Sequence, residues 1–342
     1  MDMKTYIAKR LALMALVVFG IITITFIVAR VIPADPIGSI LGPQAPQELV
    51  EKLRHEWGLD KPLWKQYLCY MWGVLHGDLG KSIKTNRPVI EDLKQFFPAT
   101  IELATASLIL AIIIGLPIGI LSAVKKDSII DHISRVMALV GVSTPVFWLG
   151  LILLFILYYK LGIAPAPGRL SVGVTPPKPI TGMILLDSLL ERRFDVFIDA
   201  LKHILLPAFV LGYYSSAYIM RITRSSLLEV LNQEYIRTAR AKGLRERIVL
   251  YRHALRNALI PVVTVIGITY GGLLEGAVLT ETIFAWPGLG RYATQAFLSL
   301  DYNAVMGATL LIALTYSVVN LAVDILYCFL DPRMRRAMEG EE

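Results

Sequence analysis

The sequence predicts an all-α, polytopic integral membrane protein, and three observations carry that prediction. The 342 residues are 55% hydrophobic with a mean hydropathy of +0.60, and only 18% are charged, below the roughly 25% usual in soluble domains. Six apolar runs reach the roughly 20 residues that a bilayer-crossing helix needs, at about 11–31, 100–124, 136–158, 204–222, 258–281 and 305–330. Lys and Arg gather between alternate runs, as they do on the cytoplasmic side of membrane proteins. All six runs must be helical, because hydrocarbon cannot satisfy loose backbone groups.

The first run follows Lys4, Lys9 and Arg10 and so resembles a secretory signal, but its apolar stretch exceeds a signal's roughly 7–15 residues and no small-x-small site precedes Pro33. It is expected to be a permanent span, and 1–31 forms the first unit. Residues 32–99 are too long for a turn and are expected to pack into an outer cap. The core, 100–342, holds the other five spans. Pro117 and Pro145 are expected to kink the second and third. Between the third and fourth, 159–203 forms a second outer loop whose Pro165, Pro167, Pro176, Pro177 and Pro179 mark irregular structure. With the N-terminus inside, the inner segments 1–10, 125–135, 221–257 and 331–342 hold about half of the 34 Lys/Arg, which places both ends in the cytoplasm.

Several catalytic readings fail. Gly80-Lys81-Ser82 ends like a phosphate-binding loop, yet Leu75 stands where the leading glycine belongs. GVSTP at 141–145 lacks the closing glycine of a nucleophile elbow. Gly288-x-Gly290 in FAWPGLGR has no preceding strand and reads as a turn. The 5 histidines show no ligand spacing, and Cys69 and Cys328 suggest no disulfide framework. No catalytic residue, metal site or complete nucleotide site is expected.

The most unusual segment is YIRTARAKGLRERIVLYRHALRNALIP, 235–261. It reads as helix, glycine bend at Gly243, helix. After the bend, Leu244, Ile248, Tyr251, Leu255 and Leu259 recur at helical steps and predict one face. In the first helix the small residues Ala239 and Ala241 lie among arginines, a pattern suited to sitting in a partner's groove with acids at the rim. Nucleic acid is a poor partner, because aromatic interleaving is missing. An amphipathic helix resting on anionic lipid fits these residues as well.

YIRTARAKG followed by RHALRNALIP resembles the coupling loop of ATP-binding-cassette importer permeases. DPIGSILGPQAP, WGLDKPLWKQY, GDLGKSIKTNRPV, PATIELATAS, STPVFWLGL, PITGMILLDSLL, KHILLPAFVLG and ETIFAWPGLGR extend the likeness along nearly the whole chain. They are similar to the peptide/nickel branch, in its first, B-type subunit. The resemblance implies that the loop, 223–257, docks on a cytoplasmic ATPase through Arg237, Thr238, Ala239, Arg240, Ala241, Lys242, Gly243, Leu244 and Arg245. Arg237 stands where the family motif has an acid, and the later Leu-Pro is Leu255-Arg256.

It further implies a multi-pass protein of a prokaryotic inner or plasma membrane, forming half of a path for di- or oligopeptides. The partners would be a second homologous permease, two ABC ATPases carrying ATP and Mg, and an extracytoplasmic solute-binding protein. The chain itself would bind no cofactor. Oligosaccharide or nickel-complex cargo is the nearest alternative, and an ion-gradient-driven transporter is one of another class. Ionisable or amide groups inside spans are pathway candidates. Asn320 and Asp324 share a face of the sixth span, whereas Glu102 and Glu275 read more simply as helix-helix or interfacial groups.

Overall fold

The computed structural model describes residues 3–31, 37, 46–56, 58–275 and 277–330. Most of the phrase DPIGSILGPQAP and the inner segment 331–342 lie outside the described residues. Fourteen α-helices are described in chain order: α1 Met3–Val31, α2 Gln47–Glu56, α3 Leu63–Leu75, α4 Val89–Val124, α5 Ile129–Ser143, α6 Val146–Leu153, α7 Ile184–Leu190, α8 Phe194–Leu231, α9 Glu234–Ala241, α10 Glu246–Ile248, α11 Leu255–Leu274, α12 Val278–Ile283, α13 Leu289–Leu298 and α14 Tyr302–Leu330. π-helical turns follow α6 at Leu154–Lys160 and α10 at Val249–Ala254. Among the described residues the only β pairing is an isolated bridge between Lys81 and Pro88.

Among the described residues, four helical stretches are long and apolar enough to cross a membrane: Ala8–Val28, Val89–Val124, Glu246–Leu274 and Tyr302–Leu326. A fifth arises if α5 and α6 with its π turn count as one span, but they meet at 99°. Pro145 is the N-cap of α6 and cannot donate into α5, so the expected kink is a sharp break. Pro117 instead lies inside a continuous α4. The predicted span at 204–222 sits within α8, which falls short of this apolarity although its 38 residues would extend about 57 Å. Tyr213, Tyr214, Ser215, Ser216 and Tyr218 interrupt its apolar centre.

α4 begins eleven residues before the predicted boundary, directly after Pro88, with Glu91 and Asp92 in its first turn. Proline pre-sets the entry dihedral, and the acids favour the positive end of the helix dipole. The most extensive helix pairing is α4 with α8. A side chain at Gly115 or Gly119 would meet the Ser216 or Met220 carbonyl, and one at Gly212 the Ser107 carbonyl, at 2.6–2.8 Å. Small residues let the two backbones approach closely, which is how helices associate where no hydrophobic effect separates them from lipid.

Polar ties hold the remaining elements. At the α4–α5 junction Asp131 is fully buried and receives Arg224 Nε at 2.7 Å and Arg224 Nη2 at 2.8 Å from α8, with the Ser122 hydroxyl donating at 2.5 Å. Glu102 of α4 pairs with Arg169 and accepts from the Leu185 amide at 2.6 Å, so it fastens the second outer loop. Ser82 of the GKS sequence donates to Asp301 at 2.6 Å, and the Lys84 amide also donates to Asp301. That sequence is therefore a structural tie to the start of α14.

Candidate coupling element and transmembrane cavity

The basic segment is a closed helix–turn–helix. α9 starts with Glu234 and carries Arg240 in its last turn, the order that complements the helix dipole. Its C-terminus is sealed by the Gly243 amide donating to the Arg240 carbonyl at 2.9 Å and the Leu244 amide to the Ala239 carbonyl at 3.4 Å. That is a Schellman closure, and it requires the left-handed φ of +75° at Gly243. Across the bend, Arg240 Nε reaches Glu246 Oε1 at 2.8 Å. Asn257 Nδ2 donates to the Tyr235 hydroxyl at 2.8 Å, joining α9 to α11.

The face of α9 is not the one the sequence suggests for all its residues. Ile236 and Ala239 are buried in a core with Ala123 of α4, Leu227 of α8, and Val249, Ala254 and Ala258. Ala239 therefore faces the protein's own interior. Arg237, Thr238, Arg240, Ala241, Lys242, Gly243, Leu244 and Arg245 are exposed. The apolar stripe is displaced too. Leu244, Ile248 and Tyr251 are exposed, and the buried positions are Val249, Ala254, Ala258 and Val262. The five-residue step from Val249 to Ala254 coincides with the π turn, whose wider turn shifts the register. The Ile236/Ala239 pair at i, i+3 is the sequence signal for the buried face.

A cavity of about 730 Å³ lies between α8, α11, α12 and the α5–α6 break. Its walls are mainly apolar, including Leu211, Val265 and Ile268, with Tyr214, Ser215, Tyr218, Arg221, Thr269 and Thr280 as polar points. The Arg221 guanidinium stands 5.6 Å over the Tyr218 ring, and the Tyr214 and Tyr218 hydroxyls are 3.3 Å apart. Among the described residues, no carboxylate belongs to this lining. Asn320 and Asp324 lie elsewhere: Asp324 Oδ2 is 3.2 Å from Arg10 Nε of α1. Glu275 caps the end of α11. The cluster Tyr213-Tyr214-Ser215-Ser216, polar groups within an apolar run, was the available sign of the cavity wall.

Beyond Thr280 a buried glutamate organises ETIFAWPGLGR. Glu281 Oε1 accepts from the Thr100 hydroxyl at 2.8 Å and Oε2 from the Arg291 amide at 2.8 Å. Thr100 in turn accepts from the Leu289 amide, and Trp286 Nε1 donates to the Ala99 carbonyl at 2.8 Å. A Cβ at Gly288 would fall 2.3 Å from Glu281 Oε1. Because the carboxylate is held from two sides, Gly288→Ala is expected to cost about 2 kcal/mol, read as a lower unfolding temperature of the purified complex. An unchanged transition would show that the carboxylate can move aside.

Residues 115–336 match the family described as binding-protein-dependent transport system inner membrane component, and residues 3–104 match its N-terminal membrane component. The chain belongs to this family. Among curated relatives, the permease is 48% identical over 323 residues to the probable D,D-dipeptide transport system permease protein DdpB of Escherichia coli K12, covering 94% of this chain and 95% of that protein. It is 47% identical to the dipeptide transport system permease protein DppB of the same strain, covering 97% and 99%. Identity to the oligopeptide transport system permease protein AppB of Bacillus subtilis is 37%, with 97% and 99% covered. A solved chain of the MetNI methionine ABC transporter, in inward-facing conformations, matches with a TM-score of 0.50 and 19% identity, covering 71% of the permease and 97% of that chain. That last likeness concerns the fold alone.

Proposed function

We propose that this permease forms half of the translocation path of an ATP-driven importer for dipeptides, or for oligopeptides of similar chemistry. Its partners in this reading are a second, homologous permease, two cytoplasmic ABC ATPases that bind ATP and Mg, and an extracytoplasmic solute-binding protein. The chain crosses the membrane six times, through α1, α4, the bent α5–α6 pair, α8, α11 and α14, with both ends in the cytoplasm of a prokaryotic cell. Supporting the cargo are the names of relatives that match over nearly its full length.

The observation that carries the coupling reading is the two-faced α9. One face, Ile236 and Ala239, is seated on the ends of α4, α8 and the π turn before α11. The other presents Arg237, Thr238, Arg240, Ala241, Lys242 and, past the bend, Gly243, Leu244 and Arg245. A partner gripping the exposed face therefore pulls on the helices that wall the cavity, and access alternates as the permease halves rock. The cavity is the path in this reading, and the Arg10–Asp324 pair ties α1 to α14 beside Asn320. Its mainly apolar wall suits weak passage of varied peptides, with selection left to the binding protein.

The test is uptake into proteoliposomes holding this chain with a second permease, the two ATPases and the binding protein of the same cell. Labelled dipeptide is expected to accumulate only with ATP inside the ATPase compartment and binding protein outside. Accumulation driven by an ion gradient without ATP would replace this reading with a secondary transporter.

A further inference from the structure

α3 carries an aromatic and aliphatic face that nothing in the described chain covers. Trp64, Leu68, Trp72 and Leu75 are 60%, 57%, 67% and 74% exposed, and their spacing of 4, 4 and 3 puts them on one side of the helix. The neighbouring side is packed, though none of its residues is fully buried. Tyr70, Met71 and Val74 lie against the core around Ile22, Leu79 and Val89, and Tyr67 and Tyr70 against Phe26 and Met306. In water this arrangement is unfavourable, since an aqueous cap would turn its tryptophans inward and its polar residues outward.

The depth of α3 resolves the conflict. Its anchors on α1 are Thr23, whose hydroxyl is 2.8 Å from the Tyr67 hydroxyl, and Phe26, whose ring centroid is 5.2 Å from that of Tyr67. Both belong to the apolar span Ala8–Val28. Thr23 lies five residues before the end of that span, about 7 Å below it at 1.5 Å per residue. An interfacial helix buries its apolar face about 5–10 Å into the boundary between headgroups and acyl chains, so α3 is pinned at that level. α1 likewise leaves Phe19, Ile24 and Ile27 of its apolar span exposed. Lys65, 5.3 Å over the Trp64 ring, and His76, whose ring is tilted 37° to that of Trp72 at 4.2 Å, supply the polar edge that tryptophan favours at such an interface.

We infer that α3 is an interfacial helix embedded in the outer leaflet through Trp64, Leu68, Trp72 and Leu75, with phospholipid as its occupant. The first outer segment is then in part a membrane anchor that braces α1 against α14 at the outer surface, and only the remainder is available to the aqueous side.

The intact importer, reconstituted in bilayers of phosphatidylcholine brominated at the upper acyl positions, tests this by tryptophan quenching. The comparison is between the native complex and W64F/W72F, which keeps the aromatic packing but removes both fluorophores. The quenched component is expected to shrink markedly in W64F/W72F, and the same component is expected to resist aqueous iodide. If iodide rather than brominated lipid quenches the Trp64/Trp72 component, α3 faces water and the inference is wrong. Loss of iodide quenching only on adding the solute-binding protein would also overturn it, by making this face a protein dock.

Discussion

An Asp131→Ala permease is expected to lose about 3–5 kcal/mol of stability, the usual consequence of leaving one member of a buried ion pair behind. Asp131 has no exposed surface, and the Arg224 guanidinium that grips it in two-pronged fashion is itself mostly covered. Removing the acid leaves that cation and the Ser122 hydroxyl without the partner they share. The effect should spread, because Arg224 precedes by one helical turn the Leu227 that supports Ile236 and Ala239. Thermal unfolding of the purified complex measures the loss. The double variant D131L/R224M is expected to be more stable than either single one, since it removes both charges together. Equal destabilisation in singles and double would show that the residues matter for shape and not as a pair.

The second large effect concerns motion more than stability. Gly243→Val is expected to reduce ATP-driven uptake by about tenfold or more while the chain still inserts and assembles. A Cβ at Gly243 would touch nothing within 4 Å, so the damage comes only from the left-handed backbone, which costs an L-residue about 1–2 kcal/mol and a β-branched one more. Relief comes by unwinding the end of α9, and a shift of about 1.4 kcal/mol changes a population tenfold. Gly243→Asn, which tolerates this conformation, is expected to retain most of the transport. Uptake assays beside a membrane-insertion control check both variants, and full activity in Gly243→Val would mean that the Schellman closure has no part in coupling.

How much of this could be read from residues alone follows from the range of the interactions. The spans of α1, α4, α11 and α14 were legible because a bilayer imposes a length of apolar sequence whatever the packing. The start of α4 was not: Glu91, Asp92, Lys94 and Gln95 lower the local hydropathy, although Val89 and Leu93 are buried. The bend at Gly243 was legible, being local backbone chemistry. The direction of Ala239 was not, since it depends on Ala123 and Leu227, far away in sequence. Likewise Arg10–Asp324 and Glu102–Arg169 join groups whose partners no spacing reveals. The stripe from Leu244 was misassigned because a 3.6-residue period cannot foresee a π turn.

That π turn has a wider consequence. Val249–Ala254 holds a surplus residue relative to an α-helical turn, and each residue is worth about 100° of rotation. The direction in which Leu244 and Ile248 look relative to α11 is therefore set by the backbone insertion that follows them, with Tyr251 inside it, and not by the side chains at the surface. A lineage could re-aim this surface by gaining or losing a single codon there, with every exposed side chain retained. Exchanging side chains one at a time could never achieve the same turn.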